Sequence, residues 1–362
     1  MPDHFKYMKT ALSLARRGLG QTGANPSVGC VIVKNGVVIG HGRTADGGRP
    51  HAEVVALAQV GNSAKGAVMY VTLEPCCHFG KSPPCTEAII KAGISEVVIA
   101  NIDPYEEVAG KGVAALEAAG IKVVTGILAA EGEETHAGFF KRIRRNLPYV
   151  TLKIASSLDG KTALQNGESK WITGEEARDY GHLLRGQNDA IMTGIGTIIA
   201  DNPELNCRLP GLQNRSPLRI IIDSDLRIPA ESKIITSAKD VPIIIFTKAE
   251  TKRPELEKPG VTIEKAELSP AGLGIKKILH RLADKGINRL MVESGGKIAA
   301  SLLKEELVDE ICWFQGAKII GGEGLPAIAA LGISQMTDIK KFELLETKKL
   351  GEDLLLRLKA KA

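Results

Sequence analysis

The feature that most constrains this chain is an alternation of strand and helix patterns that stops at Pro148 and then starts again. A helix spans residues 3–18 with Asp3 as its N-cap. Two apolar runs in "VGCVIVKNGVVIGHG" flank Asn35-Gly36, a hairpin signal, because that pair tolerates the positive φ of a two-residue turn. Next come a helix beginning at His51, a strand "AVMYVTL" (67–73), a cysteine-bearing loop, and a helix near 84–92. A strand "EVVIAN" (96–101), a helix near 111–119, a strand "IKVVTG" (121–126) and a helical pattern over 129–145 follow. The pattern ends at Pro148, because a proline pushes the residue before it out of the helical region. Beyond it "YVTLKIASS", "DAIMTGIG", "LRIIIDS", "VPIIIFT", "RLMVES" and "EICWFQGA" read as strands, with helices near 174–187, 272–285 and 296–306. Such alternation predicts two layered α/β domains, 1–146 and 147–362, with helices covering the sheet faces. A chain of 362 residues can supply a core for each.

Composition narrows the class of partner. No run of eighteen apolar residues exists, so no membrane span is expected. The N-terminus "MPDHFKYMKT" lacks a secretory apolar core, which points to the cytoplasm. In a reducing compartment six irregularly spaced cysteines read as free thiols or ligands rather than disulfides. The net charge of +5 is shared between the halves and aromatics are only 4%. That balance suits small anionic ligands and leaves few platforms for stacking bases. The basic run "KRIRR" (141–145) reads as a solvated helix end, so no nucleic-acid partner is expected.

Within the first half, "HAEVVAL" places His51 and Glu53 two residues apart at a helix start, and Pro75-Cys76 follows about twenty-five residues later. H-x-E followed by P-C and a further cysteine is the signature of zinc nucleobase deaminases. One imidazole and two thiolates leave the fourth tetrahedral position for water, whose pKa zinc brings towards neutrality. A carboxylate that is not a ligand must then move the proton, and Glu53 suits that role. The second ligand is Cys76 or Cys77, and Pro75 marks Cys76. The third is Cys85, because position 79 is phenylalanine where the short form of the motif has cysteine. The insert "CHFGKSPP" becomes an excursion carrying His78 and Lys81 towards a substrate. A structural knuckle, with Cys77 or His78 as fourth ligand, would have no use for Glu53.

The segments "NPSVGCVIV", "GGRPHAEVVAL", "YVTLEPCCHFGKSPPC" and "NIDP" resemble the deaminase domain of the bifunctional riboflavin-biosynthesis deaminase/reductases. The resemblance implies a cytidine-deaminase-like α/β/α layered domain. It implies 2,5-diamino-6-(5-phosphoribosylamino)pyrimidin-4(3H)-one as substrate, deaminated at C2, with one zinc ion per chain. Asn25, His78, Lys81 and Asp103 match positions of that family near the substrate. One position departs: where many members carry a histidine shortly before the zinc ligand, this chain has Thr44.

In the second half no G-x-G-x-x-G precedes an acidic residue, so an ordinary Rossmann site is unsupported. Two other glycine turns, in "MTGIGTIIADNPEL" (192–205) and "MVESGGKIAASLL" (291–303), lead from a strand into a helical pattern and can bring backbone N–H groups to a pyrophosphate. Together with "LKIASSLDGKTA" and "SKWITGEEAR" they resemble the reductase domain of the same family. That implies a dihydrofolate-reductase-like α/β domain using NADPH. By motif position Ala155, Trp171, Thr197, Asp201, Ser224 and the turn Gly295, Gly296, Lys297, Ile298, Ala299, Ala300 and Ser301 are expected at NADPH. Ser169, Arg185, Leu205, Arg208 and Glu293 are expected around the phosphorylated substrate, where arginine can pair bidentately with phosphate. Reduction of the ribosyl group to a ribityl chain needs a proton donor near the sugar, and Lys153 and Glu293 are the candidates. A homo-oligomer, dimer or tetramer, is the expected assembly. A tRNA-type deaminase with an appended domain is the competing enzymatic reading, and it predicts salt-sensitive RNA binding. A zinc-and-NADP sensor without turnover is the non-enzymatic one.

Overall fold

The computed structural model describes residues 3–80, 82–269 and 272–361. The chain divides into two compact units, Met1–Leu147 and Pro148–Ala362. In the first, α1 (His4–Arg17) is followed by β1 (Gly29–Lys34), β2 (Val37–Arg43), α2 (Ala52–Val60), β3 (Val68–Leu73) and α3 (Cys85–Lys91). Then come β4 (Glu96–Asn101), α4 (Lys111–Ala118), β5 (Lys122–Thr125) and α5 (Ala129–Arg145). The sheet order is β2-β1-β3-β4-β5, antiparallel across β1 and parallel from β3 to β5.

The period-two alternation of a strand decides which face each residue serves. Val31, Val33, Tyr70, Val98 and Ala100 pack with Tyr7, Met8, Ala11 and Leu12 of α1. Their neighbours Cys30, Ile32, Met69, Val71, Val97 and Ile99 pack on the opposite face with Ala52 and Ala56 of α2, Ile89 of α3 and Leu116 of α4. Helix α1 lies so close to β1 that a Cβ at Gly29 would sit 1.9 Å from the Ala11 carbonyl oxygen. Only glycine fits there without moving the helix.

The second unit contains β6 (Tyr149–Ser157), β7 (Lys161–Ala163), α6 (Glu175–Gly186), β8 (Ala190–Gly194), α7 (Ile195–Asp201), β9 (Leu218–Ile222), α8 (Lys233–Thr236), β10 (Ile243–Thr247) and β11 (Val261–Lys265). After the two-residue strands β12 (Leu268–Ser269) and β13 (Gly272–Leu273) come α9 (Ile275–Asp284), β14 (Arg289–Glu293), α10 (Gly296–Lys304), β15 (Glu310–Gly316), β16 (Leu325–Pro326), β17 (Phe342–Leu350) and β18 (Asp353–Ala360). Nine strands form one sheet in the order β11-β10-β9-β8-β14-β6-β15-β18-β17. It is parallel from β11 to β15, so the carboxyl ends of β9, β8, β14 and β6 line one edge, where open α/β sheets bind ligands. The sequence reading assigns no element beyond residue 317, whereas the structure adds the antiparallel hairpin β17–β18.

Gly29→Ala is expected to cost about 1–3 kcal/mol through overpacking of α1 on β1. It should lower the midpoint of the first unit's unfolding transition in a thermal melt of the full chain.

Candidate active sites

Two helix N-termini build the first site at the carboxyl end of β3. His51 is the N-cap of α2, and Glu53 lies in that helix's first turn. Strand β3 leads through Glu74 and Pro75 to Cys76, and Pro84 caps α3 so that Cys85 is its first residue. The Cys85 N–H donates to Cys76 Sγ at 3.3 Å, and the Thr86 N–H donates to the Cys76 carbonyl at 3.2 Å. His51 Nδ1 lies 3.6 Å from Cys76 Sγ and 3.3 Å from Cys85 Sγ. The three donor atoms all fall within 4.8 Å of one another. Tetrahedral zinc with ordinary bond lengths gives a sulfur–nitrogen edge of about 3.6 Å, so this donor set fits zinc.

Electrostatics prepare the site. The Cys85 thiol, His51 and the Cys85 N–H stabilise negative charge on Cys76 and pull it down to about 4, while the pair's remaining proton stays on Cys85. Glu53 is 3% exposed. Burial raises its pKa above the ordinary carboxylate value, against the pull of His51. Cys77 faces elsewhere, its thiol 3.8 Å from the Glu107 carbonyl oxygen.

Asn25 lies against Gly48, where φ is +89° and a Cβ would come within 2.2 Å of the Asn25 amide nitrogen. The His78 ring lies 6.4 Å from that of Tyr105, and its Nδ1 is buried with no hydrogen-bond partner among the described residues. Asp103 is buried, which pushes its carboxyl up to about 6 even though it accepts from the Tyr105 N–H at 2.9 Å. Lys81 lies outside the described residues. Thr44 is 1% exposed; its hydroxyl donates to the Pro26 carbonyl and accepts from the Val28 N–H, so it serves the start of β1. The sequence reading missed Glu74. Buried, it accepts from the N–H groups of Asp103, Gly110 and Val113 at 3.0–3.2 Å and ties the Asp103 loop and α4 to the strand that delivers Cys76.

In the second unit Glu293, Lys153 and Arg185 form one ionic cluster. Lys153 Nζ lies 2.9 Å from Glu293 Oε1, and the Arg185 guanidinium grips Oε2 at 2.9 and 3.2 Å. Strand register creates the first contact, because Glu293 of β14 is paired with Lys153 of β6. Burial opposes ionisation of Glu293, but the two cations outweigh it and hold the carboxyl well below its usual range. Glu293 therefore has no proton to give at neutral pH, which corrects the expectation that it could be the donor.

Arg185 also donates to the Asn206 carbonyl at 3.0 Å, bringing in Leu205, which is buried with φ +53°. Arg208 joins through the Asn206 side chain at 3.1 Å, and its N–H donates to His182 Nδ1 at 3.3 Å. Asn206 and His182 are further residues the sequence reading missed. Burial and the charges of Arg185 and Arg208 push His182 down to about 4.

The expected cofactor residues spread along the sheet edge. Thr197 and Asp201 lie on α7, Gly295 caps α10, and Gly296, Lys297, Ile298, Ala299, Ala300 and Ser301 form its first six residues. Ser224 follows β9 and accepts through its carbonyl from Thr247 and Lys248. Ala155 is on β6, between the edge and the core. Ser169 is half-buried in the loop after β7, while Trp171 is 62% exposed beneath the Arg178 guanidinium, 4.4 Å away. Among the described residues, two buried hydroxyls at the ends of β8 and β14, Thr193 and Ser294, have no hydrogen-bond partner, and α10 has no side-chain cap. Unsatisfied donors around a helix N-terminus at such an edge fit a dinucleotide phosphate. No helix among the described residues is long and apolar enough to cross a membrane.

Cys76→Ser should lose stoichiometric zinc while Cys77→Ser keeps one ion per chain, as read by metal content after gel filtration. A second expectation concerns His182. Its folded pKa lies below the unfolded value of about 6.5, so the stability it contributes is full above that pH and is lost as pH falls towards 4. His182→Gln should shrink the drop in melting temperature between pH 7 and pH 5.

Residues 148–356 match the family described as the RibD C-terminal domain, and residues 1–101 match the cytidine and deoxycytidylate deaminase zinc-binding region. The riboflavin biosynthesis protein RibD of Aquifex aeolicus is 44% identical over 354 residues, covering 98% of this chain and 97% of that protein. Among solved structures, Acinetobacter baumannii RibD superposes with a TM-score of 0.90 at 39% identity, covering 99% of both chains. A Thermotoga maritima diaminohydroxyphosphoribosylaminopyrimidine deaminase/5-amino-6-(5-phosphoribosylamino)uracil reductase does so with a TM-score of 0.86 at 33% identity and the same coverage. Matches this long include both units and do not favour a tRNA-type deaminase with an appended domain. The chain belongs to the RibD family of riboflavin-biosynthesis proteins.

Proposed function

We propose that the chain catalyses two successive steps of riboflavin biosynthesis. The first is hydrolytic deamination of 2,5-diamino-6-(5-phosphoribosylamino)pyrimidin-4(3H)-one to 5-amino-6-(5-phosphoribosylamino)uracil. The second is NADPH-dependent reduction of the ribosyl group to give 5-amino-6-(5-phosphoribitylamino)uracil. The observation that carries the reading is a buried Glu53 carboxyl beside a His51, Cys76 and Cys85 donor set with zinc-like edges.

Zinc held by these three side chains supplies Lewis acidity that brings a water's pKa towards neutrality. The protein does the rest. Glu53, whose burial raises its affinity for a proton, accepts the water's first proton as a carboxylate and delivers it to the pyrimidine ring nitrogen, then carries the remaining hydroxyl proton to the departing ammonia. Asn25, His78, Lys81 and Asp103 hold the pyrimidine, with Asp103 set in place by Glu74. In the second unit NADPH supplies the hydride for C1′ of the ring-opened sugar. Lys153, held 2.9 Å from Glu293, delivers a proton to the sugar oxygen, and Arg185 and Arg208 face the substrate phosphate. The first six residues of α10, together with Thr197, Asp201 and Ser224, hold the dinucleotide.

The test supplies the diaminopyrimidinone phosphate to the full-length protein with and without NADPH, and follows ammonia release and NADPH oxidation. Ammonia should appear without NADPH, and NADPH should be consumed only after deamination. Glu53→Gln should cut ammonia release at least about a hundredfold, the scale of general acid–base catalysis, while zinc content and reduction of the deaminated intermediate persist. Undiminished ammonia release by Glu53→Gln would remove Glu53 from the proton path.

A further inference from the structure

The excursion between Cys76 and Cys85 is anchored at its ends but barely at its tip. At its base, Thr86 donates to the Cys76 carbonyl and the Cys77 thiol faces Glu107. Phe79, at the tip, is 72% exposed, and among the described residues the Gly80 N–H donates to the Ser82 carbonyl at 3.4 Å, within the tip itself. Among the described residues, one hydrogen bond joins this tip to the body of the unit: Arg49 Nη1 donates to Ser82 Oγ at 2.6 Å.

Arg49 is well placed to make it. Gly47 and Gly48, both at positive φ, turn the chain ahead of it and press Gly48 against Asn25. The same Nη1 lies 3.4 Å from His51 Nε2, and Nη2 lies 3.9 Å from where a Cβ on Gly80 would be. One guanidinium thus spans the loop that leads to a zinc ligand, that ligand's ring and the excursion tip. A charge-assisted bond of this length is worth roughly twice a neutral one. With the Thr44 hydroxyl committed to backbone partners, orientation of the pyrimidine falls to the proposed substrate residues Asn25, His78, Lys81 and Asp103, of which Lys81 lies outside the described residues. All three described residues stand outside regular secondary structure, but Asn25 and Asp103 are held in the body of the unit, Asp103 through the hydrogen bond of its N–H to Glu74, whereas His78 lies in the excursion.

We propose that Arg49 is a positioning residue of the deaminase site, latching the 77–84 excursion to the loop before His51 and so fixing His78 against the substrate. The idea rests on the deaminase reading above. Its cost logic is preorganisation: a tip already ordered need not be ordered when substrate binds.

The test uses the full-length protein as Arg49→Ala, Arg49→Lys, Ser82→Ala and the Arg49→Ala/Ser82→Ala double variant. Arg49→Ala should speed amide hydrogen exchange in the 77–84 peptides and lower kcat/KM for ammonia release about tenfold, the scale of one hydrogen bond to a charged group. Zinc content and NADPH oxidation with the deaminated intermediate should stay at wild-type levels. Ser82→Ala should act in the same direction, Arg49→Lys should recover part of the loss, and the double variant should be no worse than Arg49→Ala, because both remove one bond. Unchanged exchange in Arg49→Ala, or single effects that simply add, overturns the latch. Normal exchange and kinetics in Ser82→Ala also overturn it and leave Arg49 as a direct substrate contact. If the wild-type protein releases no ammonia, the deaminase reading fails, and the exchange data still decide whether the latch exists.

Discussion

The first site is organised around the Cys76 sulfur, which the fold equips to carry negative charge. A thiolate needs stabilisation, and the fold gives it the first N–H of α3, the neighbouring Cys85 thiol and the His51 ring. Those contacts require two helices to start at the same point in space, α2 at His51 and α3 at Cys85. That in turn requires α2 and α3 to pack on the same face of the sheet, which the alternation of Cys30, Ile32, Met69 and Val71 provides. Core packing and metal chemistry are therefore one constraint.

The second unit solves a similar problem with full charges. Glu293, Lys153 and Arg185 are mostly shielded from water, where isolated charges are costly. Two cations around one carboxylate leave a net positive charge at the carboxyl edge of a parallel sheet. That is a suitable environment for a phosphorylated substrate. Glu293 holds both neighbours at once, Lys153 through one carboxylate oxygen and Arg185 through the other.

Much of this was legible in the sequence because it is local or periodic. His51 and Glu53 are two residues apart, and Cys76 and Cys85 bracket a short loop, so spacing alone points to them. Other features are invisible to spacing. Glu74 bonds backbone groups 29 to 39 residues away, and nothing in "LEPC" announces that. Arg49 and Ser82 meet only because a glycine turn and an excursion fold towards each other. Asn206 sits between two expected contacts but acts as their bridge. The hairpin β17–β18 escapes because β17 is an edge strand, exposed on both faces over most of its length, so "FELLETKKL" carries no clean alternation. The half-exposed β11 at the other edge escapes for the same reason.

The central claim is that the metal site is an open one made by His51, Cys76 and Cys85, with Cys77 and His78 outside it. X-ray absorption at the zinc edge of the full-length protein tests it most directly. The account predicts one zinc per chain with two sulfur neighbours at about 2.3 Å and two nitrogen or oxygen neighbours at about 2.0–2.1 Å, one of them imidazole. Three sulfur neighbours, or two imidazoles completing a shell with no place for water, would contradict it.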